Sequence, residues 1–288
     1  MRSLPWKVDD ATWARIKPLL PPPPYSLRGG RYRVDDRACF DAILYVLRTG
    51  CQWNALPKEE VGCSSSTAHR RFQEWEADGF FERLWAEGLT EYDALKGLKW
   101  KWQAVDGTMS KAPLGGAETG PNPTDRGKSG VKRSMLTEGG GIPLAIVVAG
   151  ANRHDKMLLA VTLDGLMVPR PEPSEKARQH LCLDRGYDYE SSRSEAASRG
   201  YEVHIPLPRG QERSEPYPEG NKPRRWVVER AHSWLNRSRR LLVRWEKKTE
   251  NYLAFLHLAC AQLLFGKVLR LSEARVAHPN RSAGLLAG

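Results

Sequence analysis

The chain has 288 residues, of which 40% are hydrophobic, and it contains ten tryptophans and nine tyrosines. This composition supplies a hydrophobic core and excludes a globally disordered chain. The formal net charge of +11 indicates a polyanionic partner, most simply nucleic acid, although basicity that only confers solubility is the alternative. The five cysteines are widely spaced and form no Cys-x-x-Cys pair, so neither a disulfide framework nor a zinc-finger site is indicated.

The sequence also gives an expectation about the cellular compartment. The first residues lack the apolar core of a signal peptide, and the longest uninterrupted apolar run, Ile142 to Ala151, is too short to cross a bilayer. We therefore expect a cytoplasmic, nucleoid-associated protein with no membrane partner.

The first hundred residues have helical patterns. Apolar residues recur at helical spacing from Asp35 to Thr49, and Gly50 provides a C-terminal stop. Residues 64–66 are serines that can cap a helix over 67–75, and a glycine at position 62 lies in the turn before it. This succession is typical of a helix-turn-helix, whose second helix enters a major groove, but a solvated polar face fits equally well. We assign 1–98 to a helical, helix-turn-helix-like DNA-binding domain with candidate contacts His69, Arg70 and Arg71.

From residue 99 onward, strand and helix patterns alternate. Strands are predicted over 100–109, 131–136, 143–149, 180–183 and 202–205. Helices are predicted over 156–166, 191–198, 226–244 and 252–271, the first of them capped by Asp155. This order predicts a mixed sheet flanked by helices, a three-layer α/β domain. We assign 99–272 to this domain and 273–288 to a flexible tail.

Three acidic residues stand in contexts that suit a metal site. Asp106 ends an alternating run and Asp184 ends an apolar run, each with a glycine close behind it, and Glu229 lies one turn into a basic amphipathic helix. A carboxylate at the end of a buried strand is costly unless it is paired or bound to a cation, and hard cations such as Mg²⁺ take oxygen ligands. We expect the three acids to converge and to support phosphodiester chemistry on DNA; three unrelated surface acids are the alternative.

Other polar residues are candidates for supporting roles. His154, Asp155 and Tyr187 can form a second shell around the metals, although helix capping by Asp155 and simple packing of Tyr187 fit as well. The tryptophans at 226, 234 and 245 are interpreted as core-facing anchors. The remaining candidate phosphate contacts are basic: Lys128, Lys132, Arg133, Arg185, Arg225, Arg230 and Arg237.

A set of motifs resembles those of bacterial insertion-sequence transposases of the DDE superfamily, in the group called family five. The motifs lie at 104–108, 111–116, 119–128, 150–155, 183–188 and 226–237, and together they cover the chain from about residue 100 to 245. The chain departs from the usual signature at Lys222, where a Tyr is common three residues before Arg225. The basic position that follows the glutamate falls at Asn236-Arg237 in this chain, where the family has a clear Lys.

The resemblance implies an RNase H-like catalytic fold with Asp106, Asp184 and Glu229 as the catalytic and metal-binding triad. Two Mg²⁺ ions are implied as cofactors, with Mn²⁺ as a substitute; Asp106 would bridge both ions and each of the other acids would complete one coordination sphere. The implied activity is binding of terminal inverted repeats, hydrolysis at the ends of the element, and joining of the 3′-hydroxyl to target DNA. The implied partner is double-stranded DNA, bound by a homodimer or higher oligomer.

Two alternatives stay open on the sequence. One is an RNase H-like nuclease without strand transfer. The other is a catalytically retired transposase that only binds DNA.

Overall fold

The computed structural model describes residues 6–23, 32–207 and 224–277, with side chains described as far as residue 274. The departure at Lys222 and most of the predicted tail therefore lie outside the described residues. The tail begins later than predicted, because residues 273–277 still belong to the last helix.

The chain forms two structural units. One consists of Met1–Lys96, Asn236–Val243 and Glu250–Gly288, and the other of Gly97–Leu235 and Arg244–Thr249. The first division falls within two residues of the boundary predicted at 98/99. The predicted domain 99–272 differs at its other end, because the last helix belongs to the N-terminal unit. Hydrophobic spacing reveals that a helix has an apolar face but not which partner covers it.

The helical unit is built from α1 (Asp10–Ile16), α2 (Asp36–Thr49), α3 (Lys58–Val61), α4 (Ser65–Ala77), α5 (Phe80–Lys96) and α9 (Thr249–Ala277). Gly50 ends α2 in the left-handed conformation that favours glycine, with a φ of 72°. The Ser64 side chain accepts a hydrogen bond from the Thr67 N–H and caps α4. The short helix α3, a three-residue turn and α4 form the predicted helix-turn-helix-like succession.

Helix α9 contains a long apolar segment that is interrupted by polar residues and was therefore missed by the search for continuous apolar runs. By length and composition alone, Thr249–Ala274 could cross a membrane. In the structure 61% of its most apolar window is buried. Phe255 stacks on Phe72 with ring centroids 4.6 Å apart and also contacts Trp53. The apolar residues of α9 thus serve as the core of the helical unit.

The second unit is a mixed sheet with helices. Its strands are β1 (Trp102–Lys111), β2 (Gly120–Pro121), β3 (Ser129–Glu138), β4 (Pro143–Gly150), β5 (Gln179–Cys182) and β6 (Tyr201–His204). The order across the sheet is β4-β3-β1-β5-β6, and the two-residue β2 also pairs with β3. β3 is antiparallel to β1 and β4, whereas β1, β5 and β6 are mutually parallel. Helices α6 (Leu159–Asp164), α7 (Glu190–Ala197) and α8 (Trp226–Leu235) complete the unit. This is the mixed α/β, RNase H-like architecture expected from the sequence.

Two local predictions in this unit are wrong. The helix predicted over 226–244 ends at Leu235, and a separate turn of 3-10 helix follows at Arg239–Leu241. The other correction concerns Asp155, which does not cap a helix. The cap is His154, whose side chain accepts a hydrogen bond from the Lys156 N–H, and this frees the Asp155 carboxylate for an ion pair with Lys132.

Candidate active site

Two of the predicted acids lie side by side at one edge of the sheet. β1 and β5 are neighbouring parallel strands in which Ala104 pairs with Cys182. Asp106 and Asp184 each follow two residues later, so they occupy equivalent positions on the same face of the sheet. Asp184 begins a 3-10 turn, and its Oδ1 accepts a hydrogen bond of 2.8 Å from the Gly186 N–H. The backbone therefore fixes both aspartates.

The third acid reaches this edge from helix α8, which packs against β1 and β3. Arg225 links the helix to the sheet. Its Nη2 lies 2.5 Å from Oε1 of Glu229, and its Nη1 lies 3.9 Å from Oδ1 of Asp106. One guanidinium thus stands between two of the three carboxylates and partly neutralises both.

The electrostatics of Asp106 reflect its surroundings. Burial raises the pKa of its carboxyl group to about 6, and the negative charges of Asp184 and Glu229 act in the same direction. The Arg225 guanidinium and the Gly107 N–H oppose this shift. A buried carboxylate surrounded by like charges gains from a bound cation.

The donor set fits a hard divalent cation, since all three side chains offer carboxylate oxygens. Arg225 occupies the interval between Asp106 and Glu229, where it contacts both carboxylates.

A histidine that the sequence reading missed also belongs to this site. His232 lies on α8 one turn after Glu229, and its Nε2 is 3.3 Å from the backbone carbonyl oxygen of Asp106. Burial lowers the pKa of His232 to about 3, with the Arg133 charge adding to the effect. The ring is therefore neutral at neutral pH, and protonation on Nε2 lets it donate to the carbonyl. The spacing of Glu229 and His232 by three residues was the available signal, because such residues share a helix face.

Of the three residues predicted to support the metal ligands, Asp155 and Tyr187 lie near the aspartates and His154 is turned to the surface. Asp155 Oδ1 lies 3.0 Å from Lys132 Nζ and comes so close to Gly107 that a Cβ there would overlap it. Tyr187 is fully buried, and burial raises the pKa of its hydroxyl above the usual range, as do the charges of Asp155, Asp106 and Asp184. His154 is exposed, and its ring instead contacts Tyr189 edge-on with centroids 5.4 Å apart.

Three of the predicted DNA contacts are buried, and those predictions are wrong. Arg71 is 2% exposed and pairs with Asp36 and Glu74; Lys132 is 6% exposed and pairs with Asp155; Arg133 is 1% exposed. Lys132 and Arg133 lie on β3, which runs between β1 and β4 and is covered on both faces. Adjacent residues of a strand point to opposite faces, so both are buried only when both faces are covered.

The other basic candidates are accessible. His69, Arg70, Lys128, Arg185 and Arg237 are exposed, and Arg225 and Arg230 are half-buried. The Arg230 guanidinium lies 4.6 Å from the ring centroids of both Trp226 and Trp234 and donates to the Gly140 carbonyl at 2.6 Å. Trp226 is 53% exposed and Trp245 43%, so neither is the core anchor that the sequence suggested.

Comparison with known proteins identifies the family. Residues 102–264 match the model of the transposase DDE domain, and residues 8–85 match that of a transposase of the IS4/5 family. The chain belongs to the DDE transposase family. As an insertion-sequence transposase it is an enzyme that acts on DNA, and membership in the family implies a divalent metal cofactor.

Individual relatives of this transposase come from Burkholderia cepacia. The chain is 36% identical over 162 residues to the transposase for insertion sequence element IS402, a match that covers 55% of this chain and 74% of the relative. It is 38% identical over 119 residues to an uncharacterized 16.2 kDa protein of IS402, covering 40% of this chain and 80% of that protein.

Two solved structures that resemble the transposase are complexes of the Mos1 transposase. The Mos1 mariner paired end complex with Mn is 11% identical with a TM-score of 0.28, covering 82% of this chain and 78% of that chain. The pre-cleavage Mos1 transpososome is 10% identical with a TM-score of 0.27, covering 85% and 82%.

Proposed function

We propose that Asp106, Asp184 and Glu229 bind the divalent metals of this transposase and that the enzyme cuts the ends of its element and joins them to target DNA. The observation that carries the proposal is the position of Arg225 between Asp106 and Glu229, at the sheet edge that also holds Asp184. Two Mg²⁺ ions, or Mn²⁺ in their place, would stabilise the entering and leaving oxygens of an in-line displacement.

The residues of the chain contribute position and charge. β1 holds Asp106, the Gly186 N–H holds Asp184, and His232 ties α8 to the Asp106 backbone. Glu229 is the most exposed of the three, with 47% of its side chain accessible, and it reaches the site from the helix. Bound cations would neutralise the carboxylates that Arg225 now contacts, and its planar donors would then be available to a DNA phosphate.

The proposed reaction has two balanced steps. Water attacks a phosphodiester at the element's end, the phosphorus–oxygen bond to the 3′ oxygen breaks, and a 3′-hydroxyl and a 5′-phosphate result. That hydroxyl then attacks a target phosphodiester and displaces the target's own 3′ oxygen. One phosphodiester is formed for each one broken in the second step, so no external energy source is required.

We further propose that the helical unit binds the terminal repeats of the element through α4. His69 and Arg70 are exposed on this helix, and Ser66 lies on the same face at spacings of three and four residues. Lys128, Arg185, Arg225, Arg230 and Arg237 would contact phosphates. The protein would act as a homodimer or higher oligomer on double-stranded DNA, at the nucleoid of the cytoplasm.

The test uses purified protein, MgCl2 and linear DNA that carries both ends of the element with their flanks. Wild type is expected to cut at the ends, whereas Asp106→Asn, Asp184→Asn and Glu229→Gln bind the DNA without cutting it. Asp188→Asn is the matched control, because Asp188 is an exposed acid near Asp184 that pairs with Arg193. Triad variants that cut at the wild-type rate would contradict the assigned roles.

A second substrate separates the alternatives. Pre-cut ends with a free 3′-hydroxyl are mixed with supercoiled plasmid. The proposal predicts joined products. Cutting without joining would identify a nuclease, and binding without either activity would identify a retired transposase.

A further inference from the structure

A second group of metal-ligating side chains lies on strands β5 and β6. His180 and Glu202 are register partners on these parallel strands, and His204 follows two residues after Glu202 on the same face. His180 Nδ1 lies 3.0 Å from His204 Nε2 and 3.1 Å from Glu202 Oε2. Among the residues that the structure describes, this is the group of three His, Cys, Asp or Glu residues whose ligand atoms all lie within 4.8 Å of one another.

The spacing suits one ion of the transition series. Two ligands about 2.0–2.1 Å from a tetrahedral ion are about 3.3 Å apart, close to the separations seen between His180 and its two partners. Two imidazole nitrogens and one carboxylate oxygen form a set that Zn²⁺ binds readily and that Mg²⁺, which prefers oxygen ligands, does not.

Neighbouring side chains hold the three ligands in place. Trp102 is the register partner of His180 on β1, and its ring stacks on His180 at 4.4 Å and contacts His204 at 5.0 Å. Arg178 Nη1 binds Oε1 of Glu202 at 2.8 Å, which leaves Oε2 turned toward His180. Such outer contacts orient metal ligands and raise affinity. Glu202 is 43% exposed, so an ion can enter from solvent.

We propose that His180, Glu202 and His204 form a binding site for a single Zn²⁺ ion, separate from the carboxylates of the active site. The ion would fasten the edge strand β6 to β5, the strand that leads directly to Asp184. Three protein ligands leave the fourth position of the ion to water. This inference does not depend on the proposed roles of the acidic triad.

The test measures metal binding and stability in the full-length protein after removal of metals with EDTA and dialysis. Titration with ZnCl2 is expected to show one tightly bound equivalent per chain, ahead of any weaker binding at the acidic triad, and a rise in melting temperature. CoCl2 is expected to give the visible absorption of a four-coordinate ion with nitrogen ligands. Failure to bind an equivalent of Zn²⁺ would overturn the proposal.

Single substitutions test whether the bound Zn²⁺ ion is held by the three proposed ligands. Glu202→Gln and His204→Gln are expected to lower Zn²⁺ affinity by at least about tenfold and to abolish the rise in melting temperature. His69→Gln removes an exposed histidine of the helical unit and is expected to bind Zn²⁺ with the affinity of wild type. Asp106→Asn is expected to bind the Zn²⁺ ion as tightly as wild type does. If this variant loses the ion, the ion lies at the carboxylates of the active site and the proposed second site is refuted. Glu202 is partly exposed, so its variant remains a valid test even if His204→Gln does not fold.

Discussion

The Nε2 atom of His232 lies 3.3 Å from the backbone carbonyl oxygen of Asp106, and this contact connects the helix that carries Glu229 to the strand that carries Asp106. Because Glu229 and His232 are three residues apart on α8, the orientation of one constrains the other. The distance between the two acids therefore depends on a neutral, buried imidazole.

We expect His232→Ala to slow cutting by roughly 10- to 100-fold with little change in DNA affinity, because displacement of a supporting residue disturbs catalytic geometry. His232→Gln keeps a donor and should recover part of the rate. Single-turnover cutting rates and separate binding titrations measure the two effects. Equal losses in both variants, together with weaker binding, would indicate general damage to the fold instead of lost positioning.

The raised pKa of Asp106 predicts a pH dependence of stability in the metal-free protein. Its value of about 6 lies above the ordinary 3.8, so the stabilisation that this group contributes is complete below pH 3.8 and is lost as pH rises through 6. The pKa shift corresponds to a change of at most about 3 kcal/mol in the free energy of unfolding. Because the Asp106 side chain is 17% exposed, we expect a change of about 1–3 kcal/mol.

Asp106→Asn removes this titration. In EDTA, wild type should lose stability relative to Asp106→Asn as the pH rises from 4 to 7.5. The difference between their free energies of unfolding should change by about 1–3 kcal/mol in favour of the variant. Urea unfolding at both pH values provides the measurement, with Asp188→Asn as an exposed control. A constant difference between wild type and Asp106→Asn across this range would show that burial does not disfavour the Asp106 carboxylate.

Gly107 is predicted to be intolerant of a side chain, because a Cβ at this position would overlap Asp155 Oδ1 beside the buried Lys132. Gly107→Ala should lower the free energy of unfolding by about 1–3 kcal/mol and reduce cutting. Gly266→Ala is the control, since a Cβ on that helical glycine meets no atom within 4 Å, and it should be neutral or slightly stabilising.

The double variant Gly107→Ala/Asp155→Ala tests whether overlap with Asp155 causes the loss of stability in Gly107→Ala. If the collision with Asp155 is responsible, the two substitutions are not additive, and the double variant is more stable than the sum of single effects predicts. Strict additivity in thermal or urea unfolding would assign the loss to another contact.

Arg70 and Arg71 are adjacent in sequence but should behave differently. Arg70 is exposed on α4, so Arg70→Ala should weaken DNA binding, reduce the salt slope of the affinity by about one, and leave stability unchanged. Arg71 is buried and pairs with Asp36 and Glu74, which are each about one-third exposed, so Arg71→Ala should destabilise the protein by about 1–3 kcal/mol through lost packing and lost ion pairs. Binding titrations at several salt concentrations and urea unfolding measure both effects. Unchanged DNA affinity in Arg70→Ala would remove α4 from the proposed interface.

The elements that could be predicted well have strong local signals. A capping serine and a terminal glycine mark α4 and α2 because they satisfy backbone groups within a few residues. The juxtaposition of Asp106 and Asp184 was only partly a local signal, because Asp184 follows the end of β5 as expected, whereas Asp106 lies in the middle of the longer strand β1 and the register of the two strands brings them level. The residues wrongly predicted to be accessible share another property: Arg71 and Lys132 are buried against partners distant in sequence, Asp36 and Asp155.

The amino-acid sequence by itself determined the family, the alternation of strands and helices, and the three acids on which the chemistry is expected to depend, because periodicity, capping and motif spacing are properties of short segments. Tertiary structure decided that β3 is covered on both faces, that α9 belongs to the helical unit, that His232 holds Asp106, and that His180, Glu202 and His204 meet on neighbouring strands. These features arise from contacts between residues far apart in the chain, and the spacing of residues along one segment does not specify which other segment it will pack against.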